Sequence, residues 1–374
     1  MAAGWVERAW VEDGPAWRLA RALLSPFAAL YGFGAARRNA AFDAGTRQAA
    51  SLADLRVQGA RSGARVVSVG NLVVGGTGKS PVVVRLAEAL RKQGFRPAIL
   101  ARGYGSPIPR GDSLALIGPE VRLAAASGAP PPDEARMQAA QLRDVPVVCG
   151  PDRLAAARRF LEALPEAAPT HWLLDDGFQH RELARDLDIV LLDASRPFGS
   201  GSLLPSGNLR EAPSGLARAH AVVFTRADAE KGLPAAASVA EVRRLAPKAV
   251  LLDAPFTARP LVESVDGIRF DKALHEPLLP VCGIAGPATF LAELERHGHA
   301  LVPALIVGDH ASIPVEALAA RLAAPSAPQG IVTTAKDYWR DPARLHGLSV
   351  PVFVRDLEVG LSVERVLALL APVS

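Results

Sequence analysis

Short β-branched or leucine-rich runs alternate along the chain with longer segments of helical periodicity. Residues 66–69, 97–101, 145–149, 172–175, 188–193, 221–225 and 249–253 have the composition of buried strands. Between the first two, residues 81–90 repeat apolar positions at helical spacing, opened by Pro81 and stopped near Gly94. Strand–helix alternation of this kind predicts an α/β fold with a doubly wound, mostly parallel sheet. After a linker at 255–260 the pattern restarts on a smaller scale. Strands are expected at 278–284, 301–307 and 331–334, and helices after Gly286-Pro287 and over 313–323. The expected division is a core of residues 1–255, a smaller α/β lid domain of residues 262–349, and a return of residues 352–374 to the core.

The N-terminus breaks this rhythm. Residues 22–36 carry no charge, with Arg18 and Arg21 before them and Arg37 and Arg38 after. A spanning helix needs about 18 or more apolar residues, and this run is shorter and holds Pro26, Gly32 and Gly34. No small-residue cleavage site stands where a signal peptide needs one. Leu23, Phe27, Leu30 and Tyr31 fall on one helical face. That describes a helix lying in a membrane interface, with residues 17–38 as the contact. An ordinary helix packed on the core fits the same residues.

Composition narrows the class. The 374 residues are 49% hydrophobic but only 5% aromatic, and the formal charge is +4. The pI near 9.3 thus reflects a mild basic excess, suited to phosphates or anionic lipid, and not a nucleic-acid partner. Cys149 and Cys282 lie far apart in apolar runs, which reads as two buried reduced thiols and a cytoplasmic compartment.

The chemistry centres on VVSVGNLVVGGTGKSP. A strand, then Gly75-Gly76-Thr77-Gly78-Lys79-Ser80, then a helix form a phosphate cradle. Loop N–H groups and the helix N-terminus face the anion, Lys79 reaches the outer phosphates, and Ser80 suits Mg²⁺. The strict pattern places glycine five residues before Gly78, where Val73 stands here. Val74 also lacks the lysine of one variant ATPase group. Downstream, a strand ends in Asp175-Asp176-Gly177-Phe178-Gln179-His180. An acid at a strand end beside a phosphate loop supplies a second Mg²⁺ contact. Asp133-Glu134 opens a helix and reads either as a dipole-facing cap or as a general base. Arg102 and Arg210 are available to spread developing charge.

SVGNLVVGGTGKSP, ILARGYG, LLDDGFQHRELARDLDIVLLD and LLPSGNLREAP, followed in order by GIAGPATF, GDH and IVTTAKD, resemble the tetraacyldisaccharide 4′-kinases of Gram-negative bacteria. The resemblance spans nearly the whole chain. It implies a P-loop NTPase-like core with a smaller second domain, and transfer of the ATP γ-phosphate to the 4′-hydroxyl of tetraacyldisaccharide 1-phosphate. ATP and Mg²⁺ are the implied cofactors, and the lipid A disaccharide precursor is the implied partner. The N-terminal interfacial helix would attach the enzyme peripherally to the cytoplasmic face of the inner membrane. By position the family implies Lys79 and Ser80 at phosphate and Mg²⁺, Asp175 and Asp176 at the metal with Gln179 close behind, and Arg210 and Glu211 near the nucleotide. It implies Asp133 as the base on the sugar hydroxyl and His310 as its partner. This sequence departs from the pattern around Asp133, which sits in Pro-Asp-Glu-Ala, leaving Glu134 as a competitor. Ala101, Ala135 and Ala335 also differ from the usual residues.

Two other classes share parts of this pattern: a P-loop ATPase or GTPase switch, and a nucleotide-binding membrane scaffold without catalysis. A guanine-reading Asn-Lys-x-Asp is absent.

Overall fold

The structure is a computed structural model. It describes residues 10, 14–263, 269–270, 277–284, 287–308, 311, 313–323, 327–340 and 342–370. Nine strands form the larger sheet: β1 (Arg65–Asn71), β2 (Pro97–Ala101), β3 (Leu114–Ile117), β4 (Glu120–Leu123), β5 (Val147–Cys149), β6 (His171–Asp175), β7 (Leu187–Asp193), β8 (Ala221–Thr225) and β9 (Val250–Ala254). Their spatial order is β9-β8-β7-β1-β6-β2-β5-β3-β4. The seven strands from β9 to β5 run parallel, and β3 and β4 close one edge as an antiparallel hairpin. Strands buried on both faces explain the near-continuous apolar runs in the sequence. Only the edge hairpin was not expected.

β1 and β6 are adjacent and parallel, with Val69 opposite Asp175. The phosphate loop and the acidic cluster therefore emerge side by side at the carboxyl ends of neighbouring strands, where α/β proteins bind ligands. Helix α2 (Lys79–Lys92) begins two residues earlier than Pro81 and buries Val82, Val83, Leu86, Ala87 and Leu90. Helix α3 (Asp133–Leu142) follows the same logic with Ala135, Gln138, Ala139 and Leu142 buried. Both cysteines are buried and unbridged.

The linker forms a two-stranded ribbon. β10 (Phe256–Ala258) pairs antiparallel with the segment Leu357–Val359. Beyond it the described residues form a second sheet of six strands. These are β11 (Leu261–Glu263), β12 (Arg269–Phe270), β13 (Leu278–Cys282), β14 (Leu305–Ile306), β15 (Gly330–Thr334) and β16 (Val352–Arg355), in the order β12-β11-β16-β15-β13-β14. Val352–Arg355 therefore lies in the second sheet. The chain returns to the larger core only from Leu357 onward, where Val359, Leu361, Val363, Val366 and Leu370 join the α2-side cluster. The strand expected over 301–307 is confined to Leu305–Ile306.

Helix α1 (Pro15–Asp43) is one continuous helix of 29 residues. By length and composition it is long and apolar enough to cross a membrane, and it is longer than the uncharged 22–36 run alone suggested. It nevertheless lies along the body. Ser206 donates to the Arg21 carbonyl, Ala28 is buried, and Tyr31, Arg38 and Asn39 bond to the larger unit. On the opposite face Leu19, Leu23, Phe27, Leu30 and Phe33 are exposed, each at least 62%. Tyr31, expected with that stripe, turns its hydroxyl to the Arg210 carbonyl at 2.8 Å.

Candidate active site

The phosphate loop is built from both sides. Val73, at the position where the strict motif has glycine, bridges Leu209, while Val74 N–H donates to Asn208 O and Arg210 N–H to Leu72 O. These backbone bonds bring the loop carrying Arg210 and Glu211 against the cradle. They also give the non-glycine residue a reason to be there. Gly75 and Gly78 have φ of 123° and 82°, backbone states that side chains resist. A Cβ on Gly78 would lie 2.4 Å from the Phe256 ring, so Gly78 is held by conformation and by contact.

Loop oxygens are pinned from outside. Thr225 Oγ1 donates to Thr77 O at 2.9 Å, and Arg226 Nη2 to Gly76 O at 2.8 Å. Asn71 Nδ2 donates to Thr77 Oγ1 at 2.9 Å. With its carbonyls turned toward these donors, the loop can present N–H groups to an anion. Lys79 and Ser80 occupy the first turn of α2.

The acids diverge in environment. Asp176 has φ 54° and accepts from Arg210 Nη1 at 2.8 and 2.7 Å, with Lys79 Nζ 3.6 Å from Oδ1. Burial pushes its carboxyl up, but Lys79 and Arg210 outweigh burial and hold it below the usual value. Asp175 is buried and accepts from Gln138 Nε2 at 2.6 Å. Burial, then the nearby Glu134 carboxylate, push its carboxyl up to about 6 against the pull of Gln138 and Lys79. Arg153 braces the backbone at both acids, donating to Asp175 O and Asp176 O, and burial draws its guanidinium down to about 10.

Gln179 and Glu211 meet. Gln179 Nε2 donates to Glu211 Oε1 at 2.8 Å and to Asn71 O at 2.9 Å. Glu211 is buried and also accepts from Arg218 at 2.7 Å and from Asn39 of α1 at 3.1 Å. This carboxylate thus ties the N-terminal helix to the edge of the cradle. Gln179 Oε1 is buried without a hydrogen-bond partner, an oxygen left over for a ligand.

Asp133 and Glu134 lie in the first turn of α3, whose N-cap is Pro132, and neither side chain caps it. Arg340 donates to Asp133 Oδ2 at 3.0 Å from the second unit. Glu134 acts electrostatically on Asp175. His310 lies outside the described residues. Sequence reading missed Asn71, Gln138, Arg153, Thr225, Arg226 and Arg340. Only Gln138 had a local signal, standing one helical turn from Glu134 on the side facing Asp175.

Comparisons with known proteins converge on one family. The sequence profile of the tetraacyldisaccharide-1-P 4′-kinases matches residues 20–371. The chain is 41% identical to the tetraacyldisaccharide 4′-kinase of Anaeromyxobacter dehalogenans (strain 2CP-C), over 91% of this chain and 85% of that protein. It is 34% identical to the tetraacyldisaccharide 4′-kinase of Geobacter sulfurreducens, over 93% and 92%. The crystal structure of Aquifex aeolicus LpxK in complex with ATP superposes with a TM-score of 0.67 at 27% identity, covering 94% of this chain and 98% of that one. The chain belongs to the tetraacyldisaccharide-1-P 4′-kinase family.

Proposed function

We propose how the residues of this chain divide the work of the family's reaction, ATP-dependent phosphorylation of tetraacyldisaccharide 1-phosphate at its 4′-hydroxyl in lipid A biosynthesis. The chain is an ATP-dependent tetraacyldisaccharide 4′-kinase. The observation that carries the assignment is the joining of cradle and acids: Lys79 meets Asp176, which Arg210 also holds.

Gly75, Gly76, Thr77 and Gly78 hold the ATP phosphates through backbone N–H groups, and Lys79 and Arg210 neutralise charge that develops on the transferred group. Glu211 keeps Gln179 and α1 in register with the nucleotide side. Ser80, Asp175, Asp176 and Gln179 fit Mg²⁺: the donors are hard oxygens. Asp175 is a buried carboxyl beside the Glu134 and Asp176 carboxylates, and Gln179 Oε1 is unpartnered. Mg²⁺ bound there would neutralise phosphate charge during transfer. Asp133 receives the acceptor proton, with His310 as its partner, and Glu134 belongs to the electrostatics of the metal side.

The two sheets support reading residues 1–255 as the core and residues 262–349 as the lid domain, with the acceptor bound between Asp133 and the lid. The apolar stripe of α1 supports peripheral attachment to the inner membrane on its cytoplasmic face, where the lipid substrate and ATP meet. Asp133→Asn should lower kcat by about 10²–10³-fold, and Glu134→Gln should act mainly through the Mg²⁺ requirement. The reverse ranking in a γ-phosphate transfer assay would move the base to Glu134.

A further inference from the structure

Arg340 is a buried cation shared between the two units. It is the last residue of α4 (Ala335–Arg340), which packs against α3. Within the second unit its Nη1 lies 2.9 Å from Asp337 Oδ1 and donates to the Ala311 carbonyl at 2.8 Å. Asp337 is itself fixed, its Oδ2 accepting from Gly283 N–H at 3.0 Å and from Thr334 Oγ1 at 2.7 Å. The remaining edge of the guanidinium, Nε, reaches across to Asp133 Oδ2 at 3.0 Å. The arginine side chain is 8% exposed, against 28% for Asp133.

We propose that Arg340 is the positioning residue of the acceptor site: it seats the Asp133 carboxylate and the Ala311 carbonyl on one rigid fork, so that docking of the second unit aligns the base. The inference rests on Asp133 as the base. Two features make it more than an interdomain ion pair. Of the two Asp133 oxygens the guanidinium takes only Oδ2, which leaves Oδ1 for the acceptor proton. It also grips the Ala311 carbonyl, so Asp133 and a loop of the second unit are held by one planar group. A fork pre-ordered by Asp337 loses little entropy in holding this geometry. Lysine would keep the charge without the fork.

The test is a double-mutant cycle in full-length enzyme, with ATP-Mg²⁺ and tetraacyldisaccharide 1-phosphate in mixed micelles. Arg340→Met should lower kcat about 10–100-fold, the scale of a misplaced catalytic group, with the KM for ATP unchanged within about twofold. Arg340→Lys should recover part of that loss. In the Asp133→Asn background Arg340→Met should cost less than about threefold more, because its effect runs through Asp133. Arg340→Lys, checked by its melting temperature, carries the test if Arg340→Met does not fold. Equal losses from Arg340→Met in both backgrounds, or a kcat indifferent to it, would overturn the inference while leaving the base in place. A kcat indifferent to Asp133→Asn would instead remove the reading on which it rests.

Discussion

Lys79 Nζ lies 3.6 Å from Asp176 Oδ1, tying the first turn of the phosphate-loop helix to the end of the neighbouring strand. The same carboxylate takes both short bonds from Arg210. One anion thereby holds in place the two cations that a phosphate would use. Asp176→Asn should release both and lower kcat by about 10²–10³-fold, the usual cost of losing a preorganised electrostatic element. The fold should stay intact, and single-turnover phosphate transfer with circular dichroism as control checks this.

Gly78→Ala meets two obstacles, a left-handed backbone and the Phe256 ring. The backbone alone costs about 1–2 kcal/mol. The variant should melt lower and bind ATP at least tenfold more weakly by calorimetry. Adding Phe256→Ala should relieve the contact but not the strain, so affinity should recover only in part.

The exposed face of α1 predicts a separable membrane function. Leu23→Glu with Phe27→Glu should abolish sedimentation with vesicles containing anionic phospholipid. Neither residue touches the cradle, so turnover on micellar substrate should change far less than binding to vesicles. Loss of ATP binding in this variant would show that α1 serves the fold and not the interface.

His299 supplies a pH dependence of stability. It is buried, and Arg355 Nη2 lies 3.1 Å from its Nε2. Burial, then Arg355 and His297, pull the imidazole down to about 4. Its folded value is below the unfolded value, near 6.5. The neutral ring's contribution is therefore complete above pH ~6.5 and lost as pH falls through that value toward 4. Melting temperature should drop across that window, and His299→Gln, which keeps an acceptor for Arg355, should flatten the drop.

The sheet was legible because buried parallel strands write themselves as unbroken β-branched runs between turn residues. In the edge hairpin LALI is only four residues long and EVRL is half polar and exposed, so neither carried that signal. Val352–Arg355 was assigned to the wrong sheet because a strand's partner is not encoded in its own apolar pattern. The cradle and the acidic pair were legible as local motifs. Their braces were not: Arg340 and Asp133 are 207 positions apart, and Asn39 meets Glu211 only because α1 folds back along the body. The length of α1 was missed because its last turns carry the polar residues that dock it.

The most direct measurement is transfer of labelled γ-phosphate from ATP-Mg²⁺ to tetraacyldisaccharide 1-phosphate in mixed micelles, with Lys79→Ala alongside. A 4′-kinase yields a lipid product labelled at the 4′ position, and that product should fall at least about 10²-fold in the variant. Release of labelled free phosphate with no labelled lipid would contradict that assignment.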